Sequence, residues 1–226
     1  MSGKEKLSDK KERAARVVAV FRRLYPKAWC SLHYQTPFQL LISTILSAQC
    51  TDARVNLVTP KLFEKYPDAK AMAAASIPEL ESLIRSTGFY HSKAKALSET
   101  SKMLAERFNG SVPADMASLL TLRGVARKTA NIVLFHAYGQ NEGIAVDTHC
   151  MRLSWRLGFT SSREQQNKIE KELMALLPRE DWGMYTNWMV HHGRAYCTAL
   201  KPDCAGCPLN KLCPSAFKTG KEKKRK

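Results

Sequence analysis

The chain has 226 residues, 44% hydrophobic and 25% charged, which excludes a disordered polyelectrolyte and suffices for one large or two modest domains with buried cores. Lysine and arginine outnumber aspartate and glutamate by 36 to 20, a net charge of +16, so a polyanion such as nucleic acid is the expected partner. No apolar run approaches the roughly 18 residues of a membrane span, and the charged opening MSGKEKLSDKKERAARVV lacks the apolar core of a secretory peptide.

The expected location is therefore the cytoplasm, nucleoid-associated if the source is bacterial, and not outside the cell. The last nine residues hold six basic side chains and one acidic, so the rest of the chain still carries +11. The run 221–226 reads as a basic tail that adds nonspecific DNA affinity.

After an N-terminal helix, Thr36, Pro37 and Gln39 form a capping box with proline at the first helical position. It opens FQLLISTILSAQ at 38–49, apolar nearly all round and so a buried helix. Ser76 with Glu79 repeats the signature before LESLIRS. A helix from Ser92 runs through KAKALSETSKMLAERF to a stop at Asn109 and Gly110, a C-terminal signal. After Pro113 come a short helix, MASLLTL, a turn at Gly124, and ARKTANIVLFHAYG, closed by Gly139. Asp147 stands as N-cap to THCMRLSWRLG, Ser161 with Glu164 opens a helix to Leu177, and WGMYTNWMVHH forms another. The pattern is all-α, with no fixed-period repeat.

Of seven cysteines, Cys197, Cys204, Cys207 and Cys213 lie in one loop, spaced C-x6-C-x2-C-x5-C. Disulfides are a poor reading without an export signal, so four thiolates in a short loop imply a metal. Zinc accepts four cysteines, yet its sites usually come as two separated C-x2-C knuckles. One C-x2-C between unequal spacers better suits an iron–sulfur cube, with zinc the other reading. Cys30, Cys50 and Cys150 read as small core residues. His191 and His192, beside Trp188 and Met189, read as packing or phosphate contacts, and Ile132, Val133 and Leu134 as a core stripe.

The stretch LRGVARKTAN at 122–131, AVDTH at 145–149 and the cysteine loop occur in that order, with LLISTILSAQCTD at 40–52 and TGFYHSKA at 87–94 ahead of them. Together they resemble the endonuclease III family of helix-hairpin-helix, iron–sulfur DNA glycosylase/AP lyases. The likeness runs from about Thr36 to Cys213. It implies a two-domain architecture: a six-helix barrel domain at 30–140, with a helix-hairpin-helix at 116–138, and an iron–sulfur cluster domain from 1–29 and 141–226. It further implies a 4Fe–4S cluster on the four cysteines and a cleft between the domains for duplex DNA with damaged pyrimidines or abasic sites. A monomer is expected.

A glycosylase that also nicks its strand needs an amine to hold the sugar C1′ as a Schiff base, and an ordinary lysine is protonated and weak. Lys128 follows Arg127 at a helix N-terminus, where the neighbouring cation and the positive helix end both disfavour its charge, so a lowered pKa is expected. Asp147, as an N-cap, should stay ionised and can stabilise the cationic sugar or assist proton removal. By resemblance these are the catalytic Lys and Asp. The amides of Leu122, Arg123, Gly124, Val125 and Ala126, leading to Arg127, can point at phosphates without reading sequence. Likewise by resemblance, Gln49 fills the space left by an everted base and Phe89 wedges into the stack. Taken alone, Phe89 reads as a core aromatic.

Three departures from the family pattern have consequences. The hairpin usually reads Leu-Pro-Gly-Val-Gly, whereas Arg123 and Ala126 stand here; alanine tolerates positive φ poorly, which would disturb the hairpin, and Arg123 would compensate by contacting a phosphate. Phe89 replaces a common leucine, a bulkier wedge. One extra residue in GQNEGIAVD falls in a loop. The implied activity is excision of oxidised pyrimidines followed by β-elimination. A purely adenine-specific relative would lack Lys128 and carry an acid in 40–50. A non-enzymatic iron–sulfur redox sensor would bind without scission, and a zinc transcription factor would need a base-reading helix.

Overall fold

The computed structural model describes residues 5–218; the basic tail read at 221–226 lies outside the described residues. Eleven α-helices and no strand occur among them: α1 (Leu7–Leu24), α2 (Pro37–Leu46), α3 (Asp52–Lys65), α4 (Ala69–Ala73), α5 (Ile77–Ile84), α6 (Tyr90–Arg107), α7 (Met116–Leu120), α8 (Arg127–Tyr138), α9 (Thr148–Arg156), α10 (Gln166–Leu176) and α11 (Trp182–Ala195). The chain divides into two units, one of Cys30–Glu142 and the other of the chain up to Trp29 together with Gly143 onward.

The first unit is built on α2. Thr36 accepts the Gln39 amide at 3.2 Å, and Gln39 in turn accepts the Gln35 amide at 2.8 Å, so the box closes one residue earlier than the usual pattern. Phe38 and every residue from Leu40 to Leu46 are buried, each large aliphatic side chain contributing about 1.5–3 kcal/mol. The helix stops at Leu46, short of the expected Gln49. The Ser47 hydroxyl bonds back to the Thr44 carbonyl at 2.8 Å and the chain turns outward.

Two readings needed tertiary information. Helix α3 contains Pro60, a residue that ordinarily breaks a helix, and burial of Val55, Val58, Thr59 and Leu62 carries the helix through it. At the start of α5, Ser76 makes no side-chain cap bond, and the Glu79 carboxylate, instead of reaching back to the cap, pairs with Lys65 and Tyr66. The expected stop of α6 is present. Asn109 and Gly110 adopt φ of 51° and 81°, and the Phe108 and Gly110 amides both donate to the Leu104 carbonyl, at 3.1 and 2.8 Å.

The other unit packs α1, α9, α10 and α11 around Val17, Phe21, Leu153, Leu173, Tyr185 and Met189. Arg13 of α1 donates to the carbonyls of Leu157 at 2.7 Å and Leu212 at 3.3 Å, so the N-terminal helix ties down the end of α9 and the segment that bears the cysteines. Helix α10 begins at Gln166, not Ser161. The Ser161 amide and hydroxyl go to Glu172 at 2.8 and 2.6 Å, and the Ser162 hydroxyl accepts the Glu164 and Gln165 amides, which moves the N-cap from Ser161 to Gln165.

Candidate functional site

In the Cys30–Glu142 unit, α7 and α8 flank the turn that holds most of the candidate DNA contacts. Asp115 caps α7 by accepting the Ser118 amide at 2.8 Å. Leu122 and Val125 are buried at 3% and 7% exposure and anchor the turn from beneath. Their amides are bonded to the carbonyls of Leu119 and Leu122, at 3.1 and 3.2 Å. The amides of Arg123, Gly124 and Ala126 make no internal hydrogen bond among the described residues. Of the five amides expected to face phosphate, these three are left without an internal partner, while Leu122 and Val125 anchor the turn.

Gly124 has φ +75°, and a Cβ there would meet the Ala96 Cβ at 3.3 Å, so both conformation and space require glycine. Ala126 differs from the sequence expectation. It is extended, φ −94° and ψ 170°, as the N-cap of α8, so alanine fits without strain. Arg123 is held from α6: the Thr100 hydroxyl donates to its carbonyl at 2.6 Å and Glu99 faces its guanidinium at 3.4 Å. Lys128 is exposed in the first turn of α8, with the positive end of the helix dipole beside it.

Gln49 and Phe89 occupy two further loops of this unit, and both have left-handed backbones, φ +51° and +48°. Gln49 is exposed. Phe89 is 65% exposed, which rules out the core-aromatic reading. An aromatic that is neither buried nor in a relaxed backbone is held for another purpose.

In the unit that includes Gly143 onward, Asp147 caps α9 as expected, its Oδ1 accepting the Cys150 amide at 2.6 Å. It remains half-exposed, so its carboxylate is open to a ligand. One turn on, Arg152 donates to the Cys197 carbonyl from Nε at 3.3 Å and from Nη2 at 3.2 Å, and its Nη2 meets His149 Nδ1 at 3.1 Å.

Cys197, Cys204, Cys207 and Cys213 line one cavity of about 30 Å3, with Arg156, His192, Leu153 and Tyr196 among its walls. Among the described residues no three His, Cys, Asp or Glu side chains converge tightly enough to hold a single metal ion. The cavity exceeds the 10–15 Å3 or so that one water needs, and all four thiols lie on its wall. Burial pushes the Cys207 thiol up to about 11 and raises Cys213, with nearby cysteines acting in the same direction, so a cationic group must displace their protons on binding.

Arg156, 9% exposed, donates to Cys197 Sγ at 3.2 Å and to the carbonyls of Thr198 and Ala199 at 2.7 and 2.9 Å. It places positive charge where thiolates would gather. His192 is 2% exposed, packed against Phe21 and bonded to the Tyr25 hydroxyl at 3.0 Å, with Nε2 3.3 Å from Cys207 Sγ. Packing or a phosphate contact was the sequence reading of His192, and its burial fits packing; its approach to Cys207 and the contacts of Arg156 were not foreseen. The one available signal was an arginine on the apolar side of α9.

A family model described as "HhH-GPD superfamily base excision DNA repair protein" matches residues 42–179. Endonuclease III of Synechocystis sp. is 53% identical over 211 residues, covering 93% of this chain and 96% of that protein. Endonuclease III of Bacillus subtilis is 43% identical over 199 residues, covering 88% and 90%. A solved structure described as a trapped endonuclease III–DNA covalent intermediate, in an estranged-adenine complex, matches with a TM-score of 0.87 at 43% identity, over 92% of this chain and 97% of that one.

Proposed function

This chain belongs to the HhH-GPD superfamily of base excision DNA repair proteins and, within it, to the endonuclease III family; on that premise we propose how its residues carry out the work of a DNA glycosylase/AP lyase on duplex DNA. The observation that carries the proposal is the exposed Lys128, set in the first turn of α8 directly after a turn with three unbonded amides.

The amides of Arg123, Gly124 and Ala126 and the N-terminus of α8 bind phosphate without base specificity. Phe89 and Gln49 enter the stack and take the place of the everted, oxidised pyrimidine. The deprotonated Lys128 Nζ forms a bond to C1′ as the bond from C1′ to the base breaks, the base leaving with the electron pair and taking up a proton. Asp147 supplies fixed negative charge to the cationic sugar or accepts the proton shed by the amine. The nitrogen lone pair then opens the sugar ring at C1′–O4′, O4′ taking up a proton, and the adduct becomes a protonated Schiff base. Loss of a C2′ proton then expels the 3′ phosphate, and water hydrolyses the imine to free Lys128.

Cys197, Cys204, Cys207 and Cys213 would hold a 4Fe–4S cluster, a reading supported by their spacing and their shared cavity. When bound, the cluster supplies a rigid cross-link that orders the loop from 197 to 213. Arg156 supports its charge through Cys197. A non-enzymatic redox sensor is not favoured: a neighbour at 43% identity is described as a covalent DNA intermediate.

Borohydride trapping tests the proposal on duplexes with thymine glycol or an abasic site, using wild type, Lys128→Ala and Asp147→Asn. Wild type should form a covalent adduct that Lys128→Ala abolishes, with Asp147→Asn slowed. Binding without trapping or nicking by wild type would defeat it.

A further inference from the structure

The wedge loop poses a physical problem that its own residues do not solve. Gly88 has φ 70° and ψ 157°, a region open essentially to glycine alone, and Phe89 follows at φ 48° and ψ 29°. A left-handed backbone costs a non-glycine residue roughly 1–2 kcal/mol. Phe89 recovers none of this by burial, being 65% exposed. Left to itself the loop would relax and the ring would fold onto the protein.

Four hydrogen bonds oppose that relaxation. The Thr87 hydroxyl donates to the Ile84 carbonyl at 2.8 Å. The Ser92 hydroxyl and the Lys93 amide both donate to the Phe89 carbonyl, at 2.9 and 3.0 Å. The fourth runs from Lys93 Nζ to the Thr87 carbonyl at 2.8 Å. It alone joins the residue before the strained pair to the helix after it, closing a ring around Gly88 and Phe89.

Lys93 is an unusual group for this task. It is 5% exposed, and the Thr87 carbonyl is the one acceptor its ammonium meets among the described residues. Among the described residues no carboxylate forms an ion pair with it; burial lowers its pKa, with Cys50 acting in the opposite direction. Burying an ammonium with one neutral acceptor is costly. An apolar side chain of similar length would fill the space at lower cost, so the amine is kept for what it holds.

We propose that Lys93 is a positioning residue for lesion recognition: its buried ammonium clamps the Thr87 carbonyl and keeps Phe89 raised in the conformation from which it enters DNA. The inference rests on the wedge role assigned to Phe89 above. Lys93 touches neither substrate nor the reacting atoms; it acts through Phe89.

The test uses full-length, cluster-loaded protein with Lys93→Met, Lys93→Arg, Phe89→Ala and the double variant Lys93→Met/Phe89→Ala. Unstacking is followed by 2-aminopurine fluorescence beside thymine glycol, and affinity is measured on undamaged duplex. Lys93→Met should cut unstacking and excision by about tenfold and leave undamaged-duplex affinity within about twofold, since the hairpin phosphate contacts are separate. Lys93→Arg should recover part of the loss. Added to Phe89→Ala, Lys93→Met should cost nothing further. Should Lys93→Met fail to fold, Lys93→Gln carries the same expectations. Additive losses in the double variant, equal loss on damaged and undamaged DNA, or wild-type behaviour of Lys93→Met would each overturn the inference. The fluorescence readout needs no chemistry. A wild type that unstacks the lesion but never traps therefore defeats the lyase reading alone, and the Lys93 comparison still decides this one.

Discussion

The buried hydroxyl of Thr100, in the middle of α6, donates to the backbone carbonyl of Arg123 at 2.6 Å. The bond ties the hairpin turn to a helix some twenty residues earlier in the chain and fixes Arg123 where the family pattern has a proline. Proline would stiffen the turn through its own ring; here the stiffness comes from α6. Thr100→Val keeps the shape and removes the donor. It should cost about 1 kcal/mol in urea unfolding and weaken binding to undamaged duplex, measured by anisotropy.

Glu99 adds a second restraint on Arg123 at 3.4 Å and lies 4.0 Å from Lys95. Both partners are well exposed, so the pair contributes little to stability. Its effect is on DNA, where Glu99 sets negative charge beside the turn proposed to bind phosphate. Glu99→Gln should raise duplex affinity about threefold at low salt, the gain fading as salt rises. Arg123→Ala should reduce the salt slope by about one.

Gly124 and Ala126 make contrasting predictions. Gly124→Ala meets both a positive φ and the Ala96 Cβ at 3.3 Å, so a loss of about 1–3 kcal/mol and a lower Tm are expected. Ala126→Gly restores the usual family residue at a position that is extended. It should change stability by less than about 1 kcal/mol, because the freedom glycine gives the unfolded chain is offset by its preference over alanine at an N-cap.

Arg156→Met removes three hydrogen bonds at once, to Cys197 Sγ and to the Thr198 and Ala199 carbonyls. Iron per chain and visible charge-transfer absorbance should both fall below wild type, with stability down by about 2–3 kcal/mol. Arg156→Lys should not rescue, since a point charge cannot serve three divergent acceptors. Normal iron content in Arg156→Met would show that the arginine is not needed to retain the cluster proposed for the four cysteines.

Asp115 gives a pH dependence with a definite sign. The Ser118 amide, with further help from the Ser118 side chain, holds its carboxyl below the ordinary value. In acid the unfolded chain therefore takes up this proton first. The stabilisation is complete above a pH of about 4 and is lost as pH falls through the lower folded value. Between pH 5 and 3, Tm should fall less steeply in Asp115→Asn than in wild type.

The sequence by itself determined the helical class, the stops at Asn109–Gly110 and Gly139, the Thr36 and Asp147 caps and the four-cysteine loop. Each depends on partners within a few positions along the chain, so local pattern suffices. It could not settle the passage of α3 through Pro60, the late start of α10, the relaxed backbone of Ala126 or the exposure of Phe89. Those were decided by tertiary packing, as were the contacts of Arg156 and His192 with cysteine sulfurs and the Lys93 clamp. The physical reason is distance in sequence: His192 meets Cys207 across fifteen residues and Arg156 meets Cys197 across forty-one. Burial, which sets whether a charge or an aromatic ring is tolerated, exists only once such distant segments pack together.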